Sequence, residues 1–168
     1  MAIDTKEQKV IDSGVILTKA GLPPLERLYE IRQAVRAILQ AYYQIAPRPQ
    51  VAIEDFVFQK RTRTDGCEVP IKSAEMLNRV VQLIVSECWA LSFAVSLYSA
   101  PEVKEAFAGY GRANKGAVKK IIALRLKNLP RNNHAIDAAA VALYHADMRA
   151  MQEKIRSAEM KHLMQQKF

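Results

Sequence analysis

Residues 51–58, with the sequence VAIEDFVF, are the stretch from which the rest of the chain is interpreted. β-Branched and aromatic residues dominate it, and the turn signals Pro47 and Pro49 precede it, so it is predicted to be a buried strand. Glu54 and Asp55 interrupt the apolar run, and they cannot share one role because successive strand residues point to opposite faces. A carboxylate in a buried strand needs a partner. Glu54 is therefore either a strand-end residue held by a lysine or by backbone N–H groups, or part of a functional site.

The composition indicates one ordered globular domain. The chain has 168 residues, of which 50% are apolar and 25% are charged, and this is typical of a folded protein with a substantial core. No apolar run has the length of a membrane span, and the N-terminus lacks the pattern of a signal peptide, so a cytoplasmic protein is expected. Cys67 and Cys88 lie in unrelated contexts. Both are predicted to be reduced thiols, with Cys88 in the core.

The charge distribution favours a polyanionic partner. The formal net charge is +8, and such an excess of basic residues is typical of proteins that bind nucleic acid. Residues 101–131 contain only two acidic residues, Glu102 and Glu105. A single run of charge is usually a solvated surface, but two runs, one of them directly after the Glu54 strand, favour nucleic acid. The first run is Lys60, Arg61 and Arg63, and the second is Lys104, Arg112, Lys115, Lys119, Lys120, Arg125, Lys127 and Arg131.

Hydrophobic periodicity and turn signals divide the rest of the chain. The resulting pattern, β-β-α-β-α-β-α-α-α, predicts an α/β sandwich with a mixed sheet. The helix from Ser73 to Leu91 is apolar on more than one side, which indicates either a central place in the fold or a partner, and a dimer interface is expected. Strands are predicted at residues 2–4, 9–17, 51–58 and 93–98, and helices at residues 25–45, 73–91, 101–109, from 113 or 114 to 127, and from 132 or 133 onward.

The last predicted helix carries a second candidate site element. His134 and Asp137 lie three residues apart, so they share one face of its first turn. If Glu54 converged on this pair, two carboxylates and an imidazole would suit a hard divalent cation of the kind used in phosphodiester cleavage. In the alternative interpretation, His134 belongs to the helix cap and Asp137 only favours the helix dipole. The His-x-x-Asp motif alone is weak.

From Ser13 onward, the sequence resembles the RuvC family of Holliday junction resolvases, which have an RNase H-like fold. Four segments match in family order, and the last two are the most specific because both spacing and residue type agree. The resemblance implies an RNase H-like mixed sheet flanked by helices over residues 1–147, followed by a helical extension over residues 148–168. The segments are SGVILTK (13–19), VAIEDFVF (51–58), PEVKEAFAGYGRANKGAVKKII (101–122) and NLPRNNHAIDAAAVALYHA (128–146).

The resemblance also implies roles for individual residues. Glu54, His134 and Asp137 fall on catalytic positions that bind Mg²⁺, with Mn²⁺ able to substitute. Lys104 and Lys115 fall on lysines that contact DNA or assist catalysis. Phe56 or Phe58 matches an aromatic wedge at the junction crossover. The remaining expected DNA contacts are Lys60, Arg61, Arg63, Arg112 and Lys119.

The sequence departs from the family pattern at its start. Family members begin with a strand that carries a catalytic Asp, and Asp4 resembles this residue only superficially, because a strand at residues 9–17 leaves no room for the intervening hairpin. Ala2–Asp4 is therefore interpreted as the end of the family's second strand, so that the first strand is missing.

Three functions remain open at this point. The first is a Mg²⁺-dependent endonuclease, truncated at its start, that resolves four-way or branched DNA junctions as a homodimer in a bacterial or phage context. The second is a catalytically inactive DNA-binding module, and the third is a cytosolic helical adaptor.

Overall fold

The computed structural model describes residues 1–55, 71–109, 115–130 and 132–165, with the backbone alone at residues 71–73 and 115. The order of the elements is the predicted one, and the α/β class is confirmed. The strands are β1 (Ala2–Asp4), β2 (Lys9–Asp12), β3 (Val51–Asp55) and β4 (Val95–Ser99). The helices are α1 (Pro24–Tyr42), α2 (Ile71–Ala90), α3 (Ala100–Ala108), α4 (Lys115–Arg125) and α5 (Asn133–Gln165).

The described strands form two separate pairs where one mixed sheet was predicted. β1 and β2 are antiparallel, and β3 and β4 are parallel, each pair making a two-stranded sheet. β2 also ends at Asp12, well before the predicted residue 17. The reason is that β1 has only three residues, and its first residue, Ala2, already pairs with Asp12. Val15 and Ile16 are suited to a strand, but they lie beyond the end of this ladder and are exposed.

Helix α5 packs against both pairs of strands. Its Ala139 and Leu143 are buried in one cluster with Val10 of β2 and Ile122 of α4. Ala52 of β3, Tyr98 of β4, and Met1 and Ile3 of the hairpin are partly buried against the same cluster. Alanine has a small side chain, so this part of α5 can approach the strands closely.

The opposite face of the β3–β4 sheet packs on α1 and α2. Val35 and Leu39 of α1 are buried with Cys88 and Phe93, and Val51 of β3 packs against them. Cys88 is fully buried, as predicted. Cys67 lies outside the described residues. The β3–β4 sheet is therefore the middle layer of three, with α5 on one side and α1 and α2 on the other.

The hairpin formed by β1 and β2 is hydrogen-bonded to the chain just after α4. The N–H of Val10 donates to the carbonyl of Lys127 at 3.1 Å, and the N–H of Lys127 donates to the carbonyl of Gln8 at 2.9 Å. These bonds form a parallel bridge between Lys9 and Lys127. Among the described helices, none combines the length and the apolar composition needed to cross a membrane.

Candidate active site

Glu54 lies on the side of the β3–β4 sheet that faces α5. In the parallel register it stands opposite Tyr98, and Ala52 stands opposite Ser96. Because residues two apart share a strand face, Glu54 lies on the same face as Ala52, which packs against the α5 cluster. Glu54 itself is exposed, so the prediction of a carboxylate inside a buried strand was wrong. Among the described residues the β3–β4 sheet has only two strands, which leaves this side chain in contact with solvent.

His134 and Asp137 lie in the first turn of α5, as predicted. The Asn132 side chain accepts a hydrogen bond from the N–H of His134 at 2.8 Å, and its carbonyl accepts one from the N–H of Ile136 at 3.1 Å. This is the helix start that the sequence predicts, since asparagine favours such a position. His134 is exposed and Asp137 is half-buried, whereas Ala135 and Ile136 between them are buried against the core.

The three predicted ligands differ in how far the structure brings them together. Glu54 and the start of α5 lie on the same side of the sheet, and their donor atoms are those that a hard divalent cation prefers. Over the described ranges, however, no three His, Cys, Asp or Glu side chains form a group that could hold a metal ion. Metal binding by Glu54, His134 and Asp137 therefore stays a prediction.

The predicted DNA contacts are described only in part. Lys104 of α3 is half-buried, Lys119 of α4 is exposed, and Lys115 is the first residue of α4, with its backbone alone described. Both α3 and α4 pack against α5, so these lysines belong to elements next to the helix that carries His134. The others lie outside the described residues: Phe56, Phe58, Lys60, Arg61, Arg63 and Arg112.

One member of the basic cluster has a structural partner. Arg125 at the end of α4 donates from Nη1 to Oδ2 of Asp147 at 2.6 Å and from Nη2 to Oδ1 at 2.7 Å. These hydrogen bonds raise the pKa of Arg125. The planar fork of an arginine suits such a two-pronged pair. Arg125 therefore holds the end of α4 against α5. Because its charge is paired with Asp147, the number of basic residues in the cluster is larger than the number available to bind DNA.

A buried histidine that the sequence analysis overlooked connects α5 to both strands. His145 is 9% exposed. The hydroxyl of Tyr98 lies 2.8 Å from its Nδ1, and Oε1 of Gln50 lies 2.7 Å from its Nε2. A neutral imidazole with its proton on Nε2 satisfies both contacts, because Tyr98 then donates to Nδ1 and Nε2 donates to Gln50. Burial lowers the pKa of His145, as does the nearby Arg149 to a smaller extent, in agreement with the neutral form.

This His145 latch, made of Gln50, Tyr98 and His145, lies close to the candidate ligands in sequence. Gln50 directly precedes β3, and Tyr98 is the register partner of Glu54. His145 follows His134 by about three helical turns, so the two share one face of α5. This spacing is the only sequence signal for His145, and it does not identify Gln50 and Tyr98 as its partners. The latch therefore holds the strand that carries Glu54 against the helix that carries the other two candidate ligands.

Comparison with known proteins gives one family. Residues 2–145 match the family described as crossover junction endodeoxyribonuclease RuvC. A curated protein of that name from Syntrophomonas wolfei subsp. wolfei is 34% identical over 139 residues, which cover 82% of this chain and 73% of the relative.

Two solved structures agree with this match. The Thermus thermophilus RuvC structure is similar with a TM-score of 0.67 and 25% identity, over 86% of this chain and 80% of that one. A structure of T. thermophilus RuvC in complex with a Holliday junction substrate has a TM-score of 0.70 at 24% identity, over 90% of this chain and 86% of that one. The chain therefore belongs to the crossover junction endodeoxyribonuclease RuvC family and has its RNase H-like fold.

Proposed function

We propose that this chain is an endonuclease that resolves four-way or branched DNA junctions by hydrolysis of phosphodiester bonds. The observation that carries the proposal is the extent of the family match. It runs from β1 to His145, and so includes Glu54, both candidate ligands of α5, and the basic segment between them.

The arrangement of acidic and imidazole groups supports a metal-dependent reaction. Glu54 is exposed on the α5 side of β3, and His134 and Asp137 lie in the first turn of α5. We assign Mg²⁺ to these three residues, with Mn²⁺ able to substitute, because hard oxygen and imidazole ligands suit either ion. When bound, such an ion activates a water and stabilises the leaving oxygen. Water molecules and phosphate oxygens of the DNA would complete the coordination of the ion.

The basic residues would supply the DNA contacts. Lys104 and Lys115 are assigned to the region of the scissile phosphate, and Lys119 extends the positive surface along α4. Contacts of this kind orient the substrate but carry little sequence information. From the sequence and the family resemblance, Lys60, Arg61, Arg63 and Arg112 hold the DNA backbone, and Phe56 or Phe58 enters the junction as a wedge.

Paired cleavage of a symmetric junction requires two active sites. We assign a homodimer in which α2 provides the interface, because α2 leaves Trp89 70% exposed and Leu77 48% exposed. Exposed tryptophan is enriched at protein interfaces. A two-fold dimer would place one site on each of two opposing strands of the junction. The expected location is the cytoplasm of a bacterium or of a cell infected by phage.

Cleavage of a synthetic four-way junction tests the proposal. The proteins to compare are the chain itself, Glu54→Gln, Asp55→Asn, and the chain preceded by a strand that carries an Asp, each with Mg²⁺ and with a chelator. Asp55 is the matched control, because it is the neighbouring carboxylate on the opposite face of β3. We expect nicks that require the metal, either in the chain alone or only after the strand is added. In whichever version cleaves the junction, Glu54→Gln should abolish the nicks and Asp55→Asn should leave them unchanged.

The other outcomes separate the alternatives. Junction binding without cleavage in every version, including the one with the added strand, would identify an inactive DNA-binding module. Both DNA-binding functions predict affinity that falls as salt rises. Failure to bind any nucleic acid at low salt would instead favour the adaptor and would contradict the assignment of the basic surface.

A further inference from the structure

The second half of α5 extends away from the core. The helix has 33 residues and a length of about 50 Å. Met148 still packs against the core, but every side chain from Arg149 to Gln165 is exposed. The family match ends at residue 145, so this segment lies beyond the part of the chain that the nuclease function explains. A helical segment whose side chains are all exposed gains little stability from tertiary packing, and a partner would stabilise it.

One face of this segment has the spacing of a coiled-coil seam. Met148, Met151, Ile155, Ala158 and His162 alternate at intervals of three and four residues, which is the a and d pattern of a heptad repeat. Met151 is 57% exposed and Ile155 is 48% exposed. Methionine adapts its shape to a partner surface, and alanine permits close approach. The seam therefore fits a second helix laid along it.

The charges beside the seam indicate which helix that is. With Met148 at position a, Lys154 and Lys161 occupy g positions and Glu159 occupies an e position. In a parallel pair, each g residue lies beside the e residue five places later on the partner helix. Lys154 of each copy then meets Glu159 of the other, which gives two symmetric attractive pairs. An antiparallel pair would bring g residues together, and here these are lysines.

We propose that residues 148–165 form a parallel two-stranded coiled coil with the same segment of a second copy of this chain. The interaction would be a contact between copies separate from the α2 interface, and it does not depend on the nuclease activity. Because the seam has about two heptads and contains alanine and histidine, the pairing is weak by itself and adds to any contact between the folded domains.

Disulfide cross-linking of the full chain tests the position of the seam. Ala158→Cys lies at a d position, where the two sulfurs would face one another, and the adjacent Ser157→Cys is the matched control on the outer surface. The parent chain sets the background from Cys67 and Cys88. Under mild oxidation we expect Ala158→Cys to yield several-fold more covalent dimer than Ser157→Cys. Equal yields would overturn the proposal.

Charge reversal tests the parallel orientation. In the Ala158→Cys background, Lys154→Glu and Glu159→Lys should each lower the yield of covalent dimer several-fold, because each creates two repulsive pairs. A mixture of the two variants should restore the yield, since each then meets an opposite charge on its partner. Unchanged yields in the single variants, or no recovery on mixing, would refute a parallel coil.

The same variants separate self-association from DNA binding by this segment. If the segment held DNA, Lys154→Glu should weaken binding to a duplex and Glu159→Lys should strengthen it, with no effect on cross-linking. That result would contradict the coiled coil and would identify the segment as a DNA contact. The proposal instead predicts that both substitutions reduce cross-linking, although they change the net charge in opposite directions.

Discussion

Replacement of His145 by leucine should destabilise the protein to a degree that depends on pH. His145 joins α5 to Gln50 and to Tyr98 by contacts of 2.7 and 2.8 Å. Leucine keeps an apolar side chain in the space but makes neither hydrogen bond. The variant therefore isolates the latch from the packing around it.

The loss of unfolding free energy depends on the surroundings in which the substitution leaves Gln50 and Tyr98. Gln50 is exposed, so its amide can turn to water at little cost. Tyr98 is half-buried and its ring meets the ring of Tyr144 edge-on at 4.9 Å, so its hydroxyl loses its partner in a confined position. An unsatisfied hydroxyl of this kind costs about 1–3 kcal/mol. For a chain of this size, the melting temperature should fall by about 2–4 °C for each kcal/mol.

The pH dependence has a definite sign. Because the pKa of His145 is lowered in the folded protein, the unfolded chain binds a proton at this residue more readily than the folded chain does. The latch therefore makes its full contribution to the free energy of unfolding above the ordinary histidine pKa of about 6.5. This contribution is lost as the pH falls through the lower pKa that His145 has in the folded protein. His134 and His162 are present in parent and variant alike, so their effects cancel. The difference in unfolding free energy between parent and variant should narrow on acidification.

Urea unfolding followed by far-UV circular dichroism, at a series of pH values, measures this difference. Tyr98→Phe is the companion variant, because it removes the hydroxyl and keeps the ring. The double variant should be more stable than the sum of the single effects indicates, since the two residues share one hydrogen bond. A difference that stays constant or widens at low pH, together with additive single effects, would refute the latch.

Four further substitutions can be measured by the same urea unfolding. Ile122→Ala, at a fully buried side chain, should cost about 2–5 kcal/mol, whereas Leu124→Ala, at a side chain that is 87% exposed, should cost less than about 0.5 kcal/mol; similar losses would contradict the assigned core. Ser99→Ala removes the capping side chain of α3 and should cost about 1 kcal/mol, and an undetectable loss would contradict the capping role of Ser99. Asp147→Asn weakens the partly exposed pair with Arg125 and should cost about 0.2–1 kcal/mol, and a loss that does not shrink at high salt would argue against an ionic origin.

The order of the elements could be predicted because local patterns determine it. Apolar residues at helical spacing identify α1, and the short apolar run of β3 identifies a strand before any neighbour is known. The partner of a strand is not a local property. Val15 and Ile16 favour a strand by residue type, yet they lie outside β2 because its ladder with β1 ends at the pair Ala2 and Asp12.

The site shows the same division between local and distant information. Asn132 and the pair His134 and Asp137 could be placed in the first turn of α5, because capping and helical spacing depend on nearby residues. The role of His145 could not, because its partners come from positions 47 and 95 residues away along the chain. The exposure of Glu54 was predicted incorrectly for a related reason, since a strand's burial depends on the layers around it.

The bridge between Lys9 and Lys127 has a consequence for protein synthesis. The hairpin is synthesised long before the residue after α4 to which it is bonded and before the helix α5 that covers Val10. At typical rates of elongation, the delay is on the order of ten seconds. Throughout that time the hairpin has unpaired strand edges and an apolar residue without its cover. We therefore expect the nascent hairpin to be a binding site for chaperones and to reach its final position only after α5 has formed.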